Sequence, residues 1–417
     1  MNVKKLLIIG LLWPEPTSSA AGTRMVQLIQ LFLEKGYHVT FASAAAKSEF
    51  SFNLESIGVK EETIKLNDQR FNQFIKILSP QIVMFDRFVM EEQYGWRIHQ
   101  ECPEALTILD TEDLHFLRQA RQKATKDGLV LNDGDLFNDT AKREIASILR
   151  CDLSLIISEE EINILQTQFK IDPSLIYYLP FLEEEITTKT HWLSFEERAD
   201  FVFIGNFLHE PNWHTVQFLK TKIWPLLSKK LPQAKLNIYG AYPSQKVFQL
   251  HNPKENFNII GRAGNAEETI AKHRVLIAPI QFGAGVKGKF IDAMHVGTPS
   301  VTTSIGAEAM KGNLEWNGYV EDDLELFVSK AVELYQDKNK WSIAQQNGVQ
   351  IINKRYSKNK FQDEFIAQTD LIYKDLKAHR QQNFFGQLLN HHTAQSTKYL
   401  SLWIEEKNKP LSTKGEI

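Results

Sequence analysis

The sequence predicts an α/β fold of two lobes, each a parallel sheet covered by helices, followed by a helical tail. Three observations carry this. Short apolar runs alternating with amphipathic segments begin at Lys5 and start afresh at Phe201, the pattern of stacked β-α-β units. Between the two series, residues 182–199 hold Glu183-Glu184-Glu185 and Glu196-Glu197, few apolar positions and no period, which marks a connection. From residue 340 onward the apolar residues recur at helical spacing alone.

Bulk properties bound the reading. A chain of 417 residues has room for two cores. Its 43% hydrophobic and 24% charged residues are the balance of a soluble globular protein. A net charge of −3 gives no reason to expect nucleic acid as an obligatory partner. Two cysteines, Cys102 and Cys151, are too few for a disulfide framework and fit a reducing cytoplasm. The opening Met-Asn-Val-Lys-Lys-Leu-Leu-Ile-Ile-Gly has too short an apolar run for a signal peptide or a membrane span, so it reads as a first strand.

In the first lobe, residues 5–10 are that strand and 11–23 a loop rich in Pro, Ser, Ala and Gly. An amphipathic helix carrying Met25, Leu28, Ile29 and Phe32 follows, and Tyr37–Phe41 is the second strand. The loop lacks the Gly-x-Gly-x-x-Gly spacing of a dinucleotide fingerprint; it reads as flexible loop with Thr23 capping the helix, or as one wall of a ligand site. Strands are expected at 81–86, 106–110 and 153–158, with helices at 91–101 and around 133–149, and Tyr177–Phe181 closes the lobe. Ligands in such sheets sit beyond the carboxyl ends of the strands. Asp110, Asp113 and His115, just past the 106–110 strand, are therefore candidates for active-site chemistry, or else caps and members of the next helix. Their spacing supplies no complete metal site. Ser158-Glu159-Glu160-Glu161 reads as helix-capping chemistry.

The second lobe repeats the grammar: strands at 201–205, 236–240, 257–262 and 275–280, with turns at Gly205-Asn206 and Gly240-Ala241. After Val275–Ile280 come Gly283, Gly285 and Gly288, with Val286, Lys287 and Lys289 among them, and then Phe290, Ile291 and Met294 on one helix face. A strand, a glycine turn with lysines and a helix starting there form a site for an anion: unpaired N–H groups point out of the helix start, and glycine lets a phosphate approach. Gly297 and Pro299 end that helix before the strand at 300–303. Glu308 stands at a further helix start, as sugar or ribose ligand or as a helix-end charge.

Residues 281–312 resemble the C-terminal signature of GT-B glycosyltransferases, in particular family 4, which moves sugars from nucleotide donors. The resemblance extends over the chain except for about the last fifty residues. It implies a GT-B fold with two Rossmann-like lobes facing a cleft and C-terminal helices crossing back. The implied domains are 1–190 for the acceptor, 191–355 for the nucleotide-sugar, and 356–417 as the helical tail on the first lobe. It implies that Ala21-Gly22 stand for the Gly-Gly pair beside the donor diphosphate, that His115 contacts the sugar, and that Gly205 touches phosphate. It also implies that the Gly240 turn borders the cleft, that Arg262 lies in the segment facing the base, and that Asp292 binds the ribose. The family's arginine and lysine after the first strand of this lobe are missing at Asn206 and 209–214, so Lys287 or Lys289 must supply the charge. Of two glutamates spaced by seven residues, Asp292 matches the second, while the first falls on Ala284.

The expected activity is transfer of a hexose-like sugar from a UDP- or GDP-sugar to an acceptor hydroxyl, retaining and metal-independent. Catalysis is assigned to His115, Lys287 and Asp110, with no cofactor beyond the nucleotide-sugar. The acceptor is open among glycan, lipid-linked saccharide, protein and modified nucleoside. The rivals are a 2-epimerase of nucleotide sugars, for which Asp110, Asp113 and Glu308 are the carboxylates on offer, and a silent sugar- or partner-binding protein. Tail helices are expected at 341–356, 358–379, 384–389 and 399–406. His379, His391 and His392 lack partners with metal-site spacing and read as solvated or packed.

Overall fold

The computed structural model describes residues 4–187 and 192–408, with the backbone alone for residues 392–395. Two parallel sheets organise it. The first contains β1 (Lys5–Gly10), β2 (His38–Ser43), β3 (Lys60–Thr63), β4 (Ile82–Asp86), β5 (Leu106–Asp110), β6 (Leu153–Ile156) and β7 (Ile176–Tyr178). Their order is β3-β2-β1-β4-β5-β6-β7. The second contains β8 (Ala199–Ile204), β9 (Leu236–Tyr239), β10 (Phe257–Gly261), β11 (His273–Ala278), β12 (Ser300–Thr302) and β13 (Gly318–Val320), in the order β10-β9-β8-β11-β12-β13. In both, the chain order reverses at the lobe's first strand, so the crevice outside the ends of β1 and β8 is where ligands bind in this architecture.

Each sheet is buried on both faces, which is why its strands read as unbroken apolar runs. Along β1, Leu6 and Ile8 enter one core while Leu7 and Ile9 enter the other. Phe361, Phe365, Ile366, Ile372 and Leu376 of the tail join the core that contains Leu6, Ile8 and Phe32, so the tail returns to the first lobe. The chain passes between lobes at two places that pair with each other. Glu183 N–H donates to Tyr356 O at 2.7 Å, and Lys358 N–H donates to Glu183 O at 2.8 Å. No helix among the described residues is long and apolar enough to cross a membrane.

Several elements differ from expectation, each for a local reason. β3 is Lys-Glu-Glu-Thr and β13 is three residues long, both at sheet edges, where charge and brevity replace an apolar pattern. The first helix is Ala20–Glu34, capped by Ser19 rather than Thr23. The two short helices expected at the end of the tail are one continuous helix, Phe384–Lys407. The 190/191 boundary falls among residues 188–191, outside the described residues, as does the His392 side chain.

Candidate active site

The carboxyl ends of the two sheets face one another, and two helix starts meet between them. Gly288 opens the eight-residue helix Gly288–His295, and Ala20 opens the helix Ala20–Glu34. A Cβ at Gly288 would lie 2.7 Å from that of Ala20. Glycine is required there because another lobe occupies the space. Two positive helix ends therefore converge at one point of the cleft. The Gly285 turn is equally tight: its φ is +62°, and an added Cβ would meet Asp113 Cβ at 2.9 Å.

Both lysines of the glycine turn are half-buried. Lys287 Nζ donates to Gly285 O at 2.9 Å, and burial pulls its pKa down to about 8 against the attraction of Glu308. Lys289 reaches a side chain of the same lobe. Its Nζ donates to Asn212 Oδ1 at 2.6 Å and lies 4.3 Å from the centre of the Phe203 ring, and burial draws it down to about 7 against Asp292. Asp292 makes no side-chain hydrogen bond among the described residues, and burial with the nearby Glu267 and Glu183 lifts its carboxyl to about 7.

The first lobe contributes a polar wall. His115 begins the helix His115–Asp127, its Nε2 3.3 Å from Asp113 Oδ1 and its ring edge-on to Phe88. Burial outweighs Asp113 and pulls the imidazole down to about 4. Burial acts to raise Asp113, but Arg118, with His115 and His209, outweighs it and holds the carboxyl at about 2. His209, from the second lobe, sits in the field of the same groups and of Lys289, and burial again lowers it to about 4. Asp110 is fully buried and bound to Arg24 at 3.0 Å, whose other nitrogen donates to Leu179 O and Pro180 O. Arg87 and Glu112 follow β4 and β5 in left-handed conformation, φ 70° and 63°, strain of a kind that gathers at functional sites.

Three of the cleft contacts cross between lobes through residues that sequence reasoning did not single out. Arg121 donates to both oxygens of Glu308 at 2.7 Å and to Gly283 O at 2.8 Å. Glu161, taken above as capping chemistry, is fully buried; one oxygen accepts from Leu114 N–H at 3.0 Å and Gly285 N–H at 2.9 Å, and the other has no partner. Burial, with Asp113 adding to it, pushes this carboxyl up to about 7. His115, Arg118 and Arg121 recur every third residue on one helix, and Asn212 stands three residues after His209, which precedes the helix Glu210–Phe218. That spacing was available to find them. Nothing local distinguishes Glu161 from Glu159 and Glu160.

The remaining expected donor residues shape the walls. Gly22 lies in the first turn of its helix, its N–H taken by Ser19 Oγ at 3.1 Å, with Ala21 beside it. At Gly240 a Cβ would lie 2.2 Å from Gly205 O, so the two turns touch through backbone. Asn206 Oδ1 accepts from Leu208 N–H at 2.9 Å. Arg262 donates to Thr17 and Ser18 of the first lobe and stacks over Phe50. Val286 packs against the second core and Ala284 against the first. Among the described residues no group of three His, Cys, Asp or Glu side chains is placed to hold a metal ion.

Comparison with known proteins follows the same division. Residues 198–337 match the family described as Glycosyl transferases group 1. No curated protein sequence matches the chain. Solved structures share its fold at low identity. TarM from S. aureus has a TM-score of 0.67 at 10% identity, over 88% of this chain and 99% of that one. The pneumococcal O-GlcNAc transferase GtfA, in complex with UDP and GlcNAc, has 0.66 at 11%, over 89% and 99%. HepE from Anabaena, in complex with UDP, has 0.61 at 12%, over 88% and 99%. Of a TarM structure holding fondaparinux, alpha-GlcNAc-glycerol and UDP, the chain spans 57%, at 14% identity and a TM-score of 0.56 over 71% of this chain. These likenesses show a GT-B fold.

Proposed function

We propose that this GT-B glycosyltransferase, whose second lobe is a group 1 domain, moves a hexose-like sugar from a UDP- or GDP-sugar to an acceptor hydroxyl with retention of configuration. The observation that carries the reading is the convergence of two helix starts on Lys287 and Lys289. Two half-buried ammonium groups with lowered pKa values and no carboxylate bonded to either among the described residues form a site that a diphosphate would complete.

In this reading Lys287, Lys289 and the N–H groups at Gly288 hold the diphosphate. Asp292, its carboxyl without a hydrogen bond, takes the ribose hydroxyls, and His115 contacts the sugar. The bond from the anomeric carbon to the phosphate oxygen breaks, the diphosphate keeping the electron pair. The acceptor oxygen bonds to the same face, and its proton passes to the departing phosphate oxygen. Charge grows on the diphosphate as the bond breaks, so fixed cations stabilise the transition state more than the ground state. Lysines and helix ends supply that charge, so the reaction needs no metal and no cofactor. The neutral imidazole of His115 acts as a hydrogen-bonding group, and Asp110 acts through Arg24 as a positioning residue. UDP in the GtfA and HepE structures favours uridine as the base to try first.

The epimerase reading is disfavoured by the bonding of its carboxylates. Asp110 is held by Arg24, Asp113 by Arg118 and Glu308 by Arg121. Incubating the protein with UDP- and GDP-sugars alone tests the proposal. Slow release of free sugar is expected; an isomeric nucleotide sugar, or binding without turnover, would overturn it.

A further inference from the structure

The last helix wears its apolar side outward. Phe384–Lys407 runs 24 residues, about 36 Å at 1.5 Å per residue. Its inward face is small and polar. A Cβ at Gly386 would lie 2.1 Å from Leu149 O, Asn390 donates to Arg150 O, and Ser401 bonds both Arg97 and Asn67. Outward stand Phe384, Phe385, Leu388, Tyr399, Leu402 and Trp403, between 39% and 72% exposed. At 100° per residue these six fall within an arc of about 100°. An apolar stripe of that length on a soluble surface marks an interaction site.

We propose that this stripe is a two-fold interface between two copies of the chain. The spacing of the six residues carries the argument. A two-fold contact requires that if residue i of one copy meets residue j of the other, then j also meets i. Crossed antiparallel about a point between Thr393 and Ala394, Phe384 meets the partner's Trp403, Phe385 meets the partner's Leu402, and Leu388 meets the partner's Tyr399. Every apolar position of the arc finds an apolar one; Leu400, 58% exposed, stands on the same helix outside the arc. The contact also has an area close to that of a specific interface. Four rings of about 150–250 Å² each, 59–72% exposed, put roughly 500 Å² on each copy and roughly 1,000 Å² across the pair, with the leucines still to add. That approaches the range of specific interfaces, from about 1,200 Å². Aromatic residues with few charges are the composition of an interface core.

A lipid surface is the less favoured occupant. No Lys or Arg stands on the arc, Glu406 does, and the flanking Lys398 and Lys407 are drawn over Trp96 and Trp403.

The test is light scattering coupled to gel filtration of the full chain over a range of micromolar concentrations. It uses the wild type, Phe385→Lys, Leu402→Glu and the double variant, with circular dichroism to establish folding. A wild-type dimer is expected. Each single variant should weaken it by roughly thirtyfold or more, because each places a charge against an apolar partner twice. The double variant should dimerise again, since the two-fold sets Lys against Glu at both ends. A monomeric wild type, or a double variant no better paired than the singles, would overturn the proposal. So would sedimentation of the wild type with phosphatidylserine vesicles but not with itself. None of these readouts depends on sugar transfer.

Discussion

Lys287 and Lys289 each set a half-buried ammonium group against one oxygen, the Gly285 carbonyl and the Asn212 amide, with no carboxylate hydrogen-bonded to either among the described residues. The consequence is a pH dependence with a definite sign. With free pKa values of about 8 and about 7, both begin to lose their protons well below the ordinary lysine value of 10.5. An anion restores the charged form, so nucleotide binding takes up protons wherever the free lysines are partly neutral. Uptake on binding UDP should be small at about pH 6 and grow through pH 8, and affinity should fall over the same range. Calorimetry in two buffers of different ionisation heat measures it; uptake that stays flat would contradict the assignment. His115 is a different kind of residue. Held near 4 by burial, it is neutral at pH 7, so in the proposed reaction it would act by hydrogen bonding. His115→Ala should lower turnover roughly tenfold to a thousandfold with donor affinity little changed. Wild-type turnover in the folded variant would reduce it to a helix residue.

At the scale of elements, the converging helix starts are the feature to disturb. Gly288→Ala sets a methyl 2.7 Å from that of Ala20 and must push the two helices apart. We expect it to weaken UDP binding, and Ala20→Gly in the same chain to restore much of the loss; titration calorimetry of both variants decides it. The glycine turn and its two lysines were visible in the sequence because local chemistry defines them. The contact that makes Gly288 obligatory was not, since Ala20 is 268 positions away along the chain. The same limit hid Glu161 and Arg121, whose partners belong to the other lobe. β1, β5 and β11 were legible because burial on both faces leaves an unbroken apolar run. β3 and β13 were not, because edge strands do without one. In the tail, Phe365 is fully buried with ring neighbours Phe32 and Tyr177 in the first lobe. Phe365→Ala should destabilise the fold by about 3–5 kcal/mol, read as a shifted denaturant midpoint.

Across the whole molecule, the cleft is a meeting of two bodies, and in the proposed reaction each supplies part of what the chemistry needs. The second lobe brings the glycine turn, Lys287, Lys289 and Asp292. The first brings His115, Arg121 and Glu161, two of which hold that turn in place: Arg121 through Gly283 O and Glu308, Glu161 through Gly285 N–H. The paired crossings at Glu183 and Tyr356–Lys358 tie the two connections between the lobes together. The central claim is that the glycine turn is the diphosphate site, and titration of UDP and GDP into wild type, Lys287→Ala, Lys289→Ala and Asp292→Ala tests it most directly. Each lysine variant should bind nucleotide more weakly by about 1.5–3 kcal/mol, the range for charge-assisted hydrogen bonds. Asp292→Ala should also lose affinity, through the ribose. A folded Lys287→Ala that binds UDP and GDP as tightly as the wild type would make the loop an ordinary βα turn and contradict the account.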